Sequence, residues 1–254
     1  MICKANKVFI TGATSGFGKA IAQRFDAEGW HTVISGRRSQ RLNALKQNLL
    51  NPCHSIVLDV RDRNAVEKAV RDLPDSFNPV NVLVNNAGLA LGMMDADEVY
   101  IDDWELMVDT NIKGLLYCTR TILPQMVKNG TGHVINIGSI AGYWPYPGSN
   151  VYGATKAFVR QFSLNLRADL VSKNIHVTDI EPGLAETEFS EVRFKGDKKK
   201  AAAIYKNVDS IKPNDIADAV FWTASRPRNI NVNRIEIMAG AQAFSPFNIV
   251  RGLK

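Results

Sequence analysis

Val8-Phe9-Ile10-Thr11-Gly12-Ala13-Thr14-Ser15-Gly16-Phe17-Gly18 is the stretch on which the fold turns. The apolar run Val8 to Ile10 has strand character and stops at Thr11-Gly12. Three glycines then fall within seven residues, and a helical pattern runs on to Gly29. Strand, glycine-rich turn and helix in that order form the phosphate-binding unit of a doubly wound α/β sheet. Glycine lets the backbone approach a pyrophosphate, and the helix start offers unpaired N–H groups and a positive dipole end. The spacing is Gly-x-x-x-Gly-x-Gly rather than the Gly-x-Gly-x-x-Gly of other dinucleotide-binding sheets. Gly12, Thr14, Ser15, Gly16, Phe17 and Gly18 are the first candidate cofactor contacts.

His31 to Ser35 reads as a second strand, followed by Gly36-Arg37-Arg38. Sheets that bind NAD carry an acid about twenty residues past the glycines, for the ribose 2′-hydroxyl. Gly36 stands near that place, with two arginines behind it. An acid would repel a 2′-phosphate, whereas arginine binds one through charge-assisted hydrogen bonds worth about 1.5–3 kcal/mol each. Arg37 and Arg38 therefore point to NADP(H), the alternative being solvated arginines at a helix start.

The pattern continues as helix Ser39–Leu50, strand His54–Leu58 ending in Asp59-Val60, helix Asp62–Asp72, and strand Val80–Val84 followed by Asn85-Asn86-Ala87-Gly88. A long helical region, Asp102 to Asn129, contains Asn111. Strands at His133–Gly138, Ile175–Ile180 and Val232–Met238 and a helix at Pro213–Ser225 complete it. Strand and helix alternate without a composition break. We expect one doubly wound Rossmann domain over residues 1–254, with a mainly parallel seven-stranded sheet flanked by helices and residues 239–254 as a C-terminal tail. The right-handed crossover rule brings the polar loops after the strands to one sheet edge.

On that edge lies Ser139 to Lys156, which begins after a strand and ends inside a helix. Tyr152 and Lys156 are four apart and share a helix face. A phenol ionises near pH ~10, and an adjacent ammonium moves that value down. Such a tyrosine passes a proton to or from a carbonyl or alcohol oxygen, which Ser139 can hold by hydrogen bonding.

With 45% apolar and 22% charged residues the 254-residue chain can bury a large core. The net charge of +6 suits anionic ligands. Nucleic acid is disfavoured, because the basic residues are scattered and no binding motif accompanies them. Cys3, Cys53 and Cys118 have no metal-ligand spacing and suit a reducing compartment, so no metal is expected. No window approaches a membrane span and the N-terminus lacks a signal-peptide run, which leaves the cytoplasm as the expected location.

Together Thr11-Gly12-x-x-x-Gly16-x-Gly18, Asn85-Asn86-Ala87-Gly88, Asn111, Ser139, Tyr152-x-x-x-Lys156 and Pro182-Gly183-x-x-x-Thr187 resemble the short-chain dehydrogenase/reductase family, from about Lys7 to Met238. The resemblance implies Tyr152 as general acid/base, and Lys156 as the residue that tunes it and holds the nicotinamide ribose. It implies Ser139 as the group orienting the substrate oxygen and Asn111 as the anchor of a water in a proton relay. Asp59 and Val60 would border adenine, Asn86 would lie behind the adenosine ribose and Thr187 near the phosphates and carboxamide, with Ala87, Gly88, Pro182 and Gly183 as further cofactor contacts. A homotetramer is implied as well.

Gly88 to Met93, Asn150 to Leu170, Asp179 to Leu184 and Thr187 to Asp197 are similar to the NADP-dependent branch acting on serine, allo-threonine and other 3-hydroxy acids and on malonic semialdehyde. Two departures stand out: the Pro182–Thr187 loop is one residue short, and Ala239 follows Met238 where a proline is expected. A carboxylate substrate needs a cation, for which Arg193 and Lys195 in the lid after Thr187 are candidates. The alternative for that segment is a solvated basic helix face. A broader NADPH-dependent carbonyl or 3-oxoacyl reductase, and an NADP(H)-sensing protein without turnover, are the competing functions.

Overall fold

The computed structural model describes residues 6–245 and 247–252; Cys3 and the rest of the first five residues lie outside the described residues. Among the described residues seven strands form one sheet: β1 (Lys7–Ile10), β2 (His31–Gly36), β3 (Cys53–Val57), β4 (Val82–Asn85), β5 (Gly132–Ile137), β6 (Ile175–Pro182) and β7 (Arg234–Ile237). Their order is β3-β2-β1-β4-β5-β6-β7, and every pairing is parallel. The sheet is thus wholly parallel. The chain steps outward from β1 to β3, then crosses back to β4, so the direction of winding reverses between β1 and β4. A crevice opens there past the strand ends, and ligands of such sheets bind in it.

The strands are short apolar runs because both faces are covered. On one face α1 (Gly16–Ala27) and α9 (Pro213–Ala224) bury Ile21, Phe25, Ile216 and Val220 against Val8, Ile10 and Ile180. On the other, α5 (Leu115–Lys128) and α6 (Asn150–Leu170) bury Ile122, Met126, Leu166 and Leu170 against Phe9, Val134 and Val177. Two further helices, α2 (Ser39–Gln47) and α3 (Arg63–Arg71), follow β2 and β3. Asp62 caps α3 by accepting from the Ala65 N–H at 3.0 Å.

Three features depart from the expectation. The long helical region is divided into α4 (Ile101–Val108), a π-helical turn (Asp109–Gly114) and α5. A π turn shifts the hydrogen-bond register without erasing the apolar face, so periodicity does not reveal it. The segment after β6 holds two short helices, α7 (Phe189–Arg193) and α8 (Lys198–Tyr205), too short to show a period. Residues 239–245 and 247–252 pack back onto the sheet edge rather than trailing away. There the Gln242 Oε1 accepts from Leu184 N–H at 2.8 Å, Phe244 meets Trp144 and Phe247 meets Tyr146. Among the described residues no helix is long and apolar enough to cross a membrane, and no cluster of three metal-binding side chains occurs.

Candidate active site

The glycine turn after β1 is locked to the loop after β4. Thr11 Oγ1 accepts from the N–H groups of Asn86 (3.0 Å) and Ala87 (2.9 Å), and the Asn86 amide donates back to the carbonyls of Thr11 (2.8 Å) and Gly12 (3.1 Å). A Cβ on Gly18 would stand 2.4 Å from the Gly12 oxygen and 2.5 Å from Asn86 Nδ2. Gly18 is therefore a packing requirement behind the cleft, while Gly12 (φ +69°) and Gly16 (φ +50°) supply left-handed backbone within it.

One cleft runs along this edge. Gly12, Thr14, Ser15, Gly16, Phe17, Arg37, Arg38, Asp59, Val60, Asn86, Ala87 and Gly88 line it towards β1–β3. Ser139, Tyr152, Lys156, Pro182, Gly183 and Thr187 line it towards β5 and β6. Motifs up to 175 positions apart (Gly12 and Thr187) are thus joined by topology. Gly18 and Asn111 support the wall from behind. Arg193 and Lys195 do not line the cleft.

At the β2 end, a side chain at position 36 would meet Thr14 Cγ2 at 2.7 Å, which explains glycine where NAD-binding sheets place an acid. Arg38 donates to Thr14 Oγ1 (3.0 and 2.7 Å) and Ser15 Oγ (2.7 Å), so its guanidinium is held over the phosphate-binding turn. Sequence reading missed two neighbours of this group. Glu188, at the start of the lid, accepts from Arg38 at 3.1 Å and from Arg41 at 2.6 Å. Arg41 was visible one helical turn past Arg37 and Arg38; Glu188, 150 residues away from Arg38, carried no local signal. Asp59 clamps Arg61 at 2.6 Å. That hydrogen bond is the main reason its carboxyl lies below the ordinary range.

At the β5 end, the π turn carries Asn111 into the interior. Its amide donates to Leu89 O (2.8 Å) and Thr155 Oγ1 (3.0 Å), and its oxygen accepts from Leu89 N–H (2.8 Å). Gly88 lies between Asn111 and Lys156: a Cβ there would be 3.3 Å from Asn111 Oδ1 and 3.6 Å from Lys156 Nζ. Lys156 is buried and donates to the Ile137 carbonyl at 2.7 Å. Its Nζ is 5.9 Å from the Tyr152 ring centre.

Burial lowers Lys156 to about 8, with the charge of Asp179 opposing the fall. Burial pushes the Tyr152 phenol up to about 12; Tyr146 adds to the rise, and Ser139 and Arg193 work against it. Both values describe the chain without a nucleotide. Desolvation of the anion is the largest influence on the phenol, and the amine directs its N–H to the Ile137 carbonyl.

Helix α7 sets Arg193 beside the Tyr152 ring, outside the cleft lining. Its Nε donates to Gly92 O (3.2 Å) and Nη2 to Tyr146 Oη (2.8 Å). Its guanidinium carbon stands 5.4 Å from the ring centres of both Tyr146 and Tyr152. Arg193 is only 9% exposed and has no acidic partner within salt-bridge distance among the described residues. Lys195 is directed elsewhere, paired to Asp103 at 2.7 Å and set over Tyr100. The expectation of a basic grip thus narrows to Arg193, because an acid on α4 draws Lys195 away from the site. Lys198, Lys199 and Lys200 lie on the solvated face of α8.

The short chain dehydrogenase family model matches residues 6–198. The NADP-dependent 3-hydroxy acid dehydrogenase YdfG of Salmonella typhi is 53% identical over 245 residues, spanning 96% of this chain and 99% of that protein. Sulfoacetaldehyde reductase 2 of Chromohalobacter salexigens is 49% identical over 247 residues, spanning 96% and 98%. A solved structure, the closed form of serine dehydrogenase complexed with NADP+, superposes with a TM-score of 0.93 at 51% identity, spanning 96% of this chain and 99% of that one.

Proposed function

The chain belongs to the short-chain dehydrogenase family, and from that premise we propose that it moves a hydride between NADP(H) and a small 3-hydroxy acid or its carbonyl form. The substrates in view are serine, allo-threonine and 3-hydroxypropionate/malonic semialdehyde. The observation that carries this reading is Arg193: a buried guanidinium, 5.4 Å from the Tyr152 ring centre, with no acid within salt-bridge distance among the described residues. A buried charge requires a counter-charge, and a substrate carboxylate bound beside the phenol supplies one.

The residues present fit the phosphorylated dinucleotide. Gly12 and Gly16 give the phosphate-side turn its left-handed backbone, and Arg37, Arg38 and Arg41 outnumber Glu188 where a 2′-phosphate would lie. The nicotinamide supplies or accepts the hydride when bound, and its oxidised form adds a positive charge near the phenol. In reduction, the Tyr152 hydroxyl donates its proton to the carbonyl oxygen while Ser139 holds that oxygen by hydrogen bonding. Lys156 would hold the ribose and keep positive charge near the phenolate that remains, and Asn111 would anchor the way in for its replacement proton. In oxidation, Tyr152 takes the proton back. The raised value of the free phenol suits the acid role.

The relative named for sulfoacetaldehyde favours a second reading of the same site, in which Arg193 receives a sulfonate. Screening aldehydes bearing a carboxylate, a sulfonate or no charge, with NADPH oxidation followed at fixed pH, separates the readings. We expect carboxylate substrates to give the highest kcat/KM and NADH to serve poorly. A preference for uncharged ketones or acyl thioesters would favour the broader carbonyl or 3-oxoacyl reductase, and tight NADPH binding without turnover the sensing protein. Assembly as a cytoplasmic homotetramer belongs to the same proposal. The stacked Phe158 and Phe162 on α6, beside a shallow groove lined by Tyr117, Leu123 and Phe162, support it. Sedimentation should then give four times the 28.1 kDa chain mass.

A further inference from the structure

Two acids in the middle of the molecule have no part in the chemistry described so far. Side chains alternate along β6, so Asp179 and Glu181 share the face of Val177, which packs against α6. They are 2% and 1% exposed, and none of their four carboxyl oxygens has a hydrogen-bond partner among the described residues. Glu181 has two cations near it, Arg160 of α6 at 3.7 Å and Arg234 of β7 at 3.5 Å. Asp179 has no such arginine. Its carboxyl lies in a gap left by Gly138, where a Cβ would be 2.4 Å from Oδ1. Gly138 sits between Ile137, whose carbonyl holds the Lys156 ammonium at 2.7 Å, and Ser139.

Packing gives no reason for these acids. A buried, unsatisfied carboxyl costs stability that an apolar side chain of similar size does not. Asp179 instead lies against Gly138, next in the chain to the Ile137 carbonyl that holds the Lys156 ammonium, and its charge acts on that ammonium. We propose that Asp179 is a positioning residue for the reaction, its buried carboxyl setting the charge on Lys156, with Glu181 setting the charge on Asp179 in turn. This rests on the role given to Lys156 above.

The groups facing Asp179 fix the direction of each effect. From α6 this is Lys156 and from its own strand Glu181; its register neighbours are Asn136 on β5 and Arg234 on β7, while Arg160, Arg234 and Glu236 act on Glu181. Burial, then the charge of Glu181, raises Asp179 above the carboxylate range, while Lys156 lowers it. Asp179 is the one charge that acts appreciably on Lys156 among the described residues, and it holds the ammonium form. Asp179→Asn removes that support, so Lys156 should lose its proton at lower pH. Glu181→Gln removes the like charge and leaves Arg160 and Arg234 to act on Asp179. Asp179 then stays ionised to lower pH, and Lys156 should hold its proton to higher pH.

The test is the titration of Lys156 in the full chain, labelled with 13C at lysine Cε and followed by NMR, with the signal assigned by its loss in Lys156→Arg. We expect the midpoint to fall by about one pH unit in Asp179→Asn and to rise in Glu181→Gln. In parallel, the alkaline limb of kcat/KM for carbonyl reduction should shift in the same two directions. Midpoints that stay fixed, or move the same way in both variants, would overturn the proposal, even if melting temperatures drop. Should Asp179→Asn not fold, the absence of a rise in Glu181→Gln suffices to overturn it. If the midpoints move as stated while the kinetic limb stays put, Asp179 does set the charge on Lys156, and it is the role of Lys156 in turnover that fails.

Discussion

Tyr152→Phe is expected to lower kcat for both directions by about 10³-fold or more, at the upper end of what one general acid/base contributes, while NADP+ affinity stays within a few fold. The substitution removes one oxygen and leaves the ring. The contacts of that ring with Phe189 (5.6 Å between centres) and with the Arg193 guanidinium therefore persist, and the lid keeps its seat. The arginines that would bind the 2′-phosphate belong to the β2 end of the cleft and are untouched. Single-turnover rates with NADPH, and calorimetric titration with NADP+, separate loss of chemistry from loss of binding. A variant retaining a tenth of wild-type kcat would remove Tyr152 from its assigned role. The direction of reaction also has a signature. The phenol alone is protonated throughout the neutral range, so reduction should be insensitive to pH until Lys156 begins to discharge near 8. Oxidation needs the phenolate and should accelerate as pH rises through the same range.

The parts of this site legible in the sequence are those written in local pattern. Val8–Ile10, the glycine turn and α1 form one contiguous signal, since strand period, left-handed glycines and helix period follow one another. Tyr152 and Lys156 are one helical turn apart, so their shared face needed no knowledge of the tertiary structure. Gly36 was legible as a missing acid, although its reason, the approach of Thr14, was not. What escaped detection depends on contacts distant in the chain or on burial. Glu188 reaches Arg38 and Arg41 only because the lid folds over the β2 edge. Arg193 was legible as a candidate cation beside the alternative of a solvated basic face; its burial, with Lys198 to Lys200 left outside, was not. The burial of the Tyr152 phenol was not legible either, because sequence names the neighbouring charge but not the water that burial removes. Asp179 and Glu181 did leave a trace, two acids alternating within a strand whose apolar residues mark it as central, where both sheet faces are covered.

Arg193 offers the sharpest separation between a substrate anchor and a strut. As an anchor, it supplies charge-assisted hydrogen bonds to an anionic group, and truncating one partner of such a buried pair costs about 2–5 kcal/mol. Arg193→Ala should then reduce kcat/KM for a 3-hydroxy acid by about 10²-fold or more, chiefly through KM. An uncharged carbonyl should be affected only a few fold. As a strut, Arg193 would merely tie the lid to Gly92 O and Tyr146 Oη, and its removal would penalise charged and uncharged substrates alike. Stability distinguishes the two again. A buried guanidinium lacking an acid within salt-bridge distance among the described residues carries an uncompensated desolvation cost. Replacing it with alanine should therefore leave the melting temperature of the free protein unchanged or higher, despite two lost hydrogen bonds. Arg193→Lys keeps the charge but not the planar fork, and should recover part of the affinity for the carboxylate. An equal loss for charged and uncharged substrates, together with a lower melting temperature, would reassign Arg193 to the lid's framework. The anion would then need another partner, and Lys195, already paired with Asp103, is poorly placed to serve.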